Sequence, residues 1–234
     1  MRNRKYLIGA LAGVIGALAL SGVANAAVTG QSLQTAIAPT KLDKKKFTGV
    51  SLHNIIGTTI TDPASTQSPR QTVFTIPKDV KIPNAGNIPV CPLSAIQGKF
   101  DAAARAACPQ SITGQGQVEV NNGAIKGNVT FFSGGPKTIY VQTDIGPGAT
   151  SLTIIGTAAG KTLTFSNIPN TPGLILTKFD TTFNKRKTGK NLWYVMARCG
   201  KKKKLSTTET TTFYSGETFS ATSTQKCKQK KSKK

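Results

Sequence analysis

The sequence predicts an all-β fold: a single antiparallel β-sandwich, with a barrel-like sheet as the alternative, and one short helix. Short runs rich in β-branched and aromatic residues, such as KTIYVQTDI and SLTIIGT, follow one another along most of the chain. Gly, Pro and Asn separate these runs roughly every 8–12 residues, a spacing typical of sandwiches and barrels. The helix-forming segment FDAAARAA lies between Cys91 and Cys108 and is the expected helix.

The first residues have the pattern of a secretory signal peptide. Three basic residues precede an uncharged apolar run at 6–20, and the tripeptide ANA at 24–26 forms a small-x-small cleavage site. The run is shorter than the about 20 residues that a membrane-spanning helix needs. We therefore expect residues 1–26 to be removed on export, which leaves a secreted or cell-wall-associated protein without a transmembrane segment. A retained N-terminal anchor is the alternative.

Four segments are expected along the chain. The signal peptide at 1–26 is followed by a linker at 27–46, which lacks a sustained period and ends in lysines. The β-sandwich domain covers 47–227, and residues 228–234 are expected to form a basic disordered tail. The roughly 200 residues after the signal peptide are enough for one domain with a hydrophobic core.

The clearest local prediction is a hairpin in QVEVNNGAIKGNVTFF. The dipeptide Asn-Gly at 122–123 favours a type I′ turn, because its positive φ angles match the twist of the flanking strands. Folding about it pairs Val120 with Ile125 and Glu119 with Lys126. An apolar pair beside an ion pair supports this register.

The four cysteines, Cys91, Cys108, Cys199 and Cys227, are expected to form structural disulfides. Export makes disulfides the default for an even number of cysteines. A zinc site would need closely paired cysteines or several histidines, and the one histidine is His53. A thioredoxin-like site would need C-x-x-C, which does not occur. Three connectivities are possible, and the sequential spacing favours Cys91–Cys108 and Cys199–Cys227.

The spacing of the cysteine motifs resembles a family of exported, disulfide-containing β-rich proteins of high-GC Gram-positive (actinobacterial) soil bacteria. The matching motifs are I-P-x-C at 88–91, A-x-x-A-C-P at 104–109, Gly-x-Gly at 114–116, A-R-C at 197–199 and Q-K-C-K at 225–228. The similarity covers most of residues 40–230. It implies a compact exported β-rich domain with sequential disulfides. No activity is known for the family, so the resemblance implies no catalytic residue.

Positive charge is concentrated toward the C-terminus. Loss of the signal peptide lowers the formal net charge from +22 to +19, and residues 178–234 alone carry +13. Such an excess attracts anionic partners, although exposed lysines also keep a protein soluble and protect the edges of a sheet. The candidate polyanion-binding residues are Lys185, Arg186, Lys187, Lys190, Lys201, Lys202, Lys203, Lys204, Lys226, Lys228, Lys230, Lys231, Lys233 and Lys234.

An anionic polymer of the cell envelope is the expected partner. The C-terminal tail carries lysines without aromatic residues, so nucleic acid is expected to bind only non-specifically. We therefore expect an exported, non-catalytic protein that associates with the envelope through its lysine-rich C-terminal region. The alternative is a specific extracellular binding module for carbohydrate or protein, and a secreted enzyme is the third possibility.

The motifs that could indicate catalysis are weak. GTAAGKT at 156–162 is one residue shorter than a phosphate-binding loop and precedes the strand-like TLTF, so a hairpin turn is expected there. His53 alternates onto the polar face of its predicted strand, where a solvated side chain is expected. The nine acidic residues show no close pair of the kind used by glycosidases or calcium loops. We expect no enzyme activity, metal or cofactor.

Overall fold

The structure is a computed structural model that describes residues 28–61, 68–83, 86–145 and 150–230. The signal peptide predicted at 1–26 and the end of the predicted tail at 231–234 lie outside the described residues. Both therefore stay predictions.

The described residues form mainly β-strands. The strands are β1 (Val28–Ala38), β2 (Lys41–Leu42), β3 (Thr48–Gly49), β4 (Ser51–Ile60), β5 (Pro69–Thr75), β6 (Val80–Lys81), β7 (Ile112–Val120), β8 (Ile125–Ser133), β9 (Thr138–Ile145), β10 (Thr150–Ala159), β11 (Thr162–Phe165), β12 (Leu176–Phe183), β13 (Lys187–Gly189), β14 (Leu192–Trp193), β15 (Met196–Ala197), β16 (Lys204–Phe213), β17 (Thr218–Lys226) and β18 (Lys228–Gln229). The helix α1 spans Asp101–Ala107, and 3-10 turns occupy Leu93–Ala95 and Pro109–Ser111.

One antiparallel sheet of eleven strands, in the order β1-β4-β12-β7-β8-β9-β10-β11-β5-β16-β17, forms most of the fold. Its two edge strands, β1 and β17, lie beside each other, so that the sheet curls into a nearly closed barrel. The all-β prediction is confirmed. Of the two expected forms, a sandwich and a barrel-like sheet, the structure shows the barrel-like sheet.

Side chains of β17 bridge the two edge strands. The Ser223 hydroxyl oxygen accepts a hydrogen bond from the Thr35 backbone N–H at 2.8 Å. The Gln225 side chain accepts from the Ile37 N–H at 2.6 Å and donates to the Ile37 carbonyl at 3.0 Å. We call this junction the β1–β17 seam. It satisfies backbone groups that a continuous ladder would otherwise pair.

Alternate residues of each strand point into the barrel, as the two-residue period of a strand requires. Their apolar side chains form the main core, which includes Phe131 and Phe183. The Phe183 ring lies 4.5 Å from the Phe131 ring and 6.0 Å from the Tyr194 ring, measured between centroids. Tyr194 comes from the segment between β14 and β15, so this segment closes one end of the barrel.

The helix α1 packs outside the barrel, against β8 and β9. The Asp101 backbone N–H donates to the Asp144 carboxylate at 2.6 Å, and the Thr130 hydroxyl donates to the Asp101 carboxylate. Ala104 is fully buried in a small cluster that contains the Cys91–Cys108 disulfide. The predicted helix between these two cysteines is therefore confirmed.

The linker predicted at 27–46 is wrong for most of its length. Residues 28–38 form β1, which pairs along its length with β4. Gln31 and Thr35 point into the barrel, as Leu33 and Ile37 do. Because Gln31 and Thr35 are polar, the inward positions of the strand do not show a continuous apolar pattern. The sequence therefore resembled an irregular arm, although the strand closes the barrel.

The disordered tail predicted at 228–234 is wrong for residues 228–230. Lys228 and Gln229 form β18, which pairs in parallel with β2. The Lys230 backbone N–H donates to the Leu42 carbonyl at 2.8 Å. The Cys199–Cys227 disulfide holds the chain in place immediately before β18, which explains why residues 228–229 form a strand.

The predicted register of the β7–β8 hairpin is confirmed. Its turn contains the predicted pair Asn122 and Gly123, which have φ of 57° and 86°, and the Ala124 N–H donates to the Asn121 carbonyl at 3.3 Å. The Gly123 N–H also donates to the Val120 carbonyl at 3.2 Å, and Asn121 has φ of 51° as well. The Glu119 carboxylate forms its ion pair with Lys178 on β12, at 3.3 Å.

Candidate functional site

Both predicted disulfides are present. The Cα atoms of Cys91 and Cys108 are 5.7 Å apart, and those of Cys199 and Cys227 are 5.8 Å apart. Within the described part of the chain, no group of three His, Cys, Asp or Glu residues could hold a metal ion. The cysteines therefore act as structural crosslinks.

The second disulfide gathers three segments of the chain at one end of the barrel. The Cys199 backbone N–H donates to the Asp43 carbonyl at 2.8 Å, and the Cys227 N–H donates to the Lys203 carbonyl at 3.0 Å. The Gln229 side chain donates to the carbonyls of Cys199 and Gly200. Segments 41–46, 201–204 and 226–230 are thus joined by covalent and hydrogen bonds.

These three segments carry a dense group of exposed lysines, which we call the cationic end. Its members are Lys41, Lys44, Lys45, Lys46, Lys201, Lys202, Lys203, Lys204, Lys226, Lys228 and Lys230. The sequence predicted the seven that follow residue 200 as candidates. It missed the four at 41–46, because the pairing of β2 with β18 is a long-range contact that no local pattern indicates.

The lysines of the cationic end far outnumber the acidic residues beside them, since the Asp43 carboxylate interacts electrostatically with only Lys46 and Lys230. No ion pair between described residues includes any of them. Lys204 lies directly opposite Lys226, and Lys228 lies opposite Lys41. Like charges that face each other across strands are destabilising, so the fold maintains this arrangement at a cost in stability.

Asp43 is the acidic residue of these segments, and it holds the backbone in place. Its carboxylate accepts the backbone N–H groups of Lys45 and Lys46, both at 2.7 Å. These bonds, first that of Lys46, lower the pKa of Asp43. Lys203 adopts a left-handed φ of 52°, which costs an L-residue about 1–2 kcal/mol. The surrounding hydrogen bonds compensate this cost.

The other predicted lysine group lies on the β13–β14 hairpin. The hairpin leaves the barrel where β12 ends, beside the start of β4, and therefore at the same end as segment 41–46. Lys185, Lys187 and Lys190 are exposed there. Arg186 differs, because its half-buried guanidinium donates to the carbonyls of Ile112 and Gln110. Burial lowers the pKa of Arg186, and this residue ties the hairpin to the barrel.

His53 and the Gly-rich segment occupy ordinary structural positions. The His53 Nε2 atom lies 2.7 Å from the Asp180 Oδ1 atom on the outer face of the barrel, and both side chains are partly exposed. Exposed pairs of this kind contribute little to stability. Residues 156–162 form the β10–β11 hairpin, as predicted, with Gly160 at its turn.

Searches with family models, with curated proteins and with solved structures give no match to this chain. No helix in the described ranges is both long enough and apolar enough to cross a membrane.

A second unusual group lies inside the barrel. Glu209 is fully buried. Its Oε1 atom accepts hydrogen bonds from the Gln31 amide, at 3.1 Å, and from the Thr211 hydroxyl. Its Oε2 atom has no hydrogen-bond partner among the described residues. In the sequence Glu209 is one of nine acidic residues without a close acidic neighbour, and in the structure it points inward like Leu205 and Phe213.

Burial raises the pKa of Glu209, and the hydrogen bonds from Thr211 and Gln31 oppose this effect. The folded protein thus binds this proton more tightly than the unfolded chain does. Glu209 should therefore stabilise the folded protein most when the pH is below 4.5, the ordinary pKa of a glutamate side chain. This stabilisation should be lost as the pH rises through the pKa that Glu209 has in the folded protein. Because glutamine does not titrate, we expect Glu209→Gln to remove this pH dependence.

Urea unfolding of the wild-type protein and of Glu209→Gln, between pH 4 and pH 8, measures this difference. The other carboxyl groups are the same in both proteins, so their effects on the free energy of unfolding cancel in the difference. Glu217→Gln, at the β16–β17 turn, is the control for loss of an acid outside the barrel. A constant difference between the wild type and Glu209→Gln across this range would contradict the prediction.

Proposed function

We propose that this protein is an exported, non-catalytic β-barrel protein that is held at the cell envelope by its cationic end. The observation that carries the proposal is the convergence of eleven exposed lysines from three segments, none of which forms an ion pair with another described residue. Such a field attracts polyanions over distances of about a Debye length, near ~8 Å at physiological salt. The two disulfides support export, because such bonds persist in oxidising compartments.

A phosphate-rich polymer of the envelope is favoured over nucleic acid. Base recognition in single strands commonly uses exposed aromatic rings. The aromatic residue next to the cationic end is Phe47, and its ring is already covered by two cations. Lys81 Nζ lies 4.4 Å from the ring centroid, and the Arg198 guanidinium lies 4.8 Å from it. The cationic end therefore offers point charges to phosphate groups, and it would bind nucleic acid only through the backbone.

The test compares three polyanions across a salt range. We expect a poly(glycerol phosphate), heparin and duplex DNA to bind at 50 mM salt and to lose affinity together toward 200 mM, because each phosphate or sulfate group that is neutralised releases condensed counterions. Binding is measured by fluorescence anisotropy of labelled polymers. Retention of affinity for one polymer at 200 mM, with loss of the other two, would indicate a specific site and would overturn the charge-based proposal. Absence of binding to all three at 50 mM would also overturn it.

A further inference from the structure

The interior of the barrel contains an apolar cavity of about 130 Å³. Aromatic and branched side chains line most of it, among them Phe74, Ile154, Phe165 and Phe179. These side chains belong to the barrel core but are only half buried, since part of their surface faces the cavity.

The volume and the lining fit one small ring. An apolar cavity of about 150 Å³ in another protein stays dry and binds benzene. Well-packed cores contain few voids larger than a water molecule, and leaving such a space unfilled sacrifices packing contacts. A six-membered ring with one small substituent would fill the space.

Polar side chains occupy one part of the cavity wall. Thr35, Asn54 and Thr181 lie side by side on β1, β4 and β12, and all three line the cavity. The Thr35 hydroxyl oxygen is buried and has no hydrogen-bond partner among the described residues. A buried hydroxyl without a partner costs about 1–3 kcal/mol, so this atom favours an occupant that can form hydrogen bonds.

Glu209 carries a second atom of this kind, although its side chain is not among those that line the cavity. It lies directly opposite Phe74 and two residues along β16 from Thr207, and both of these neighbours line the cavity. Gln31 and Thr211 both bind Oε1, which leaves Oε2 as the carboxyl oxygen without a partner. The two unpartnered oxygens, of Thr35 and Glu209, come from β1 and β16, which approach each other near the seam.

We propose that the barrel binds one small cyclic molecule, with an apolar ring and a single hydroxyl group, inside this cavity. The ring contacts the phenylalanine and isoleucine side chains, and the hydroxyl group pairs with Thr35 Oγ1, the unpartnered oxygen that belongs to the cavity wall. A hydroxyl group both donates and accepts hydrogen bonds, so the guest can pair with the Thr35 hydroxyl in either direction. This site is independent of the cationic end.

The first test measures binding by isothermal titration calorimetry. It uses the wild-type, disulfide-bonded protein and three probes: phenol, benzene and 2-naphthol. We expect phenol to bind with one molecule per protein. Benzene should bind about tenfold more weakly, because it lacks the hydrogen bond. The second ring of 2-naphthol exceeds the cavity, so this probe should not bind. Failure of phenol to bind, or equal affinity for benzene, overturns the proposal.

Two pairs of variants locate the binding site. Ile154→Phe fills the cavity and should weaken phenol binding at least tenfold. Ile155→Phe, the next residue of β10 and 42% exposed, is the matched control and should leave binding unchanged. Thr35→Val should abolish the preference for phenol over benzene, whereas Thr35→Ser, which keeps a hydroxyl group there, should preserve it.

Thermal unfolding of each variant establishes that it folds. If Ile154→Phe is folded and binds phenol like the wild type, the ligand lies elsewhere and the proposal is wrong. If that variant does not fold, the wild-type comparison of phenol with benzene still decides the outcome. Loss of the phenol preference in Ile155→Phe would likewise contradict the assigned site.

Discussion

Replacement of both Cys199 and Cys227 by serine is expected to lower the free energy of unfolding by about 3–4 kcal/mol. The bridge joins residues 28 positions apart, and the chain-entropy model gives a stabilisation of this size for such a loop. It also brings together segments whose lysines face each other, namely Lys204 with Lys226 and Lys228 with Lys41. Without the crosslink, repulsion between these lysines should separate the segments, so polymer binding should weaken as well.

Guanidinium chloride unfolding at neutral pH measures the loss. The matched control replaces Cys91 and Cys108 by serine, which opens a loop of 17 residues beneath α1. That variant should lose about 3 kcal/mol but should keep the salt dependence of polymer binding, because its disulfide does not touch the cationic end. A loss below about 1 kcal/mol for the Cys199–Cys227 variant would contradict the first prediction.

Replacement of Lys201 and Lys202 by glutamine is expected to weaken binding to poly(glycerol phosphate) about tenfold to a hundredfold at 0.1 M salt. Each lysine that neutralises a phosphate releases counterions, and the slope of log affinity against log salt changes by about 0.9 per contact for duplex DNA. Both side chains are exposed and lie outside the strands. The substitution should therefore leave the free energy of unfolding within about 0.5 kcal/mol of the wild type.

The control for this prediction removes the same charge elsewhere. Lys99 precedes α1 and Lys126 lies on β8 near the opposite end of the barrel, and both are exposed. Their replacement by glutamine should change the affinity and the salt slope much less. Equal losses in the two variants would mean that net charge alone governs binding. The cationic end would then have no special role.

The features that sequence reasoning could predict are those encoded locally. The helix before Cys108 and the register about the turn at 121–124 depend on neighbouring residues, and the structure contains both. The disulfides could be predicted because four cysteines allow only three connectivities and the sequential spacing favours one of them. Strand positions followed from β-branched runs, since alternation and propensity act over a few residues.

The features that were missed depend on distant parts of the chain. Gln31 and Thr35 face the interior of the barrel, so polar residues occupy positions where a strand normally shows apolar ones. Glu209 lies in TTETTT, a run that resembles an exposed strand until the inward positions of Leu205 and Phe213 are known. The cavity itself depends on how eleven strands curve. None of these features has a signal within a short window of sequence.

The β1–β17 seam determines when the barrel can close. Its hydrogen bonds join residues that are 188 positions apart, and β17 is almost the last strand of the described chain. Since synthesis proceeds from the N-terminus, the wall stays open until β17 has been made, and pairing over such distances is slow. The interior can therefore be enclosed only when β17 has come to lie beside β1. A small guest that is present at that step can be enclosed without passing through the finished wall.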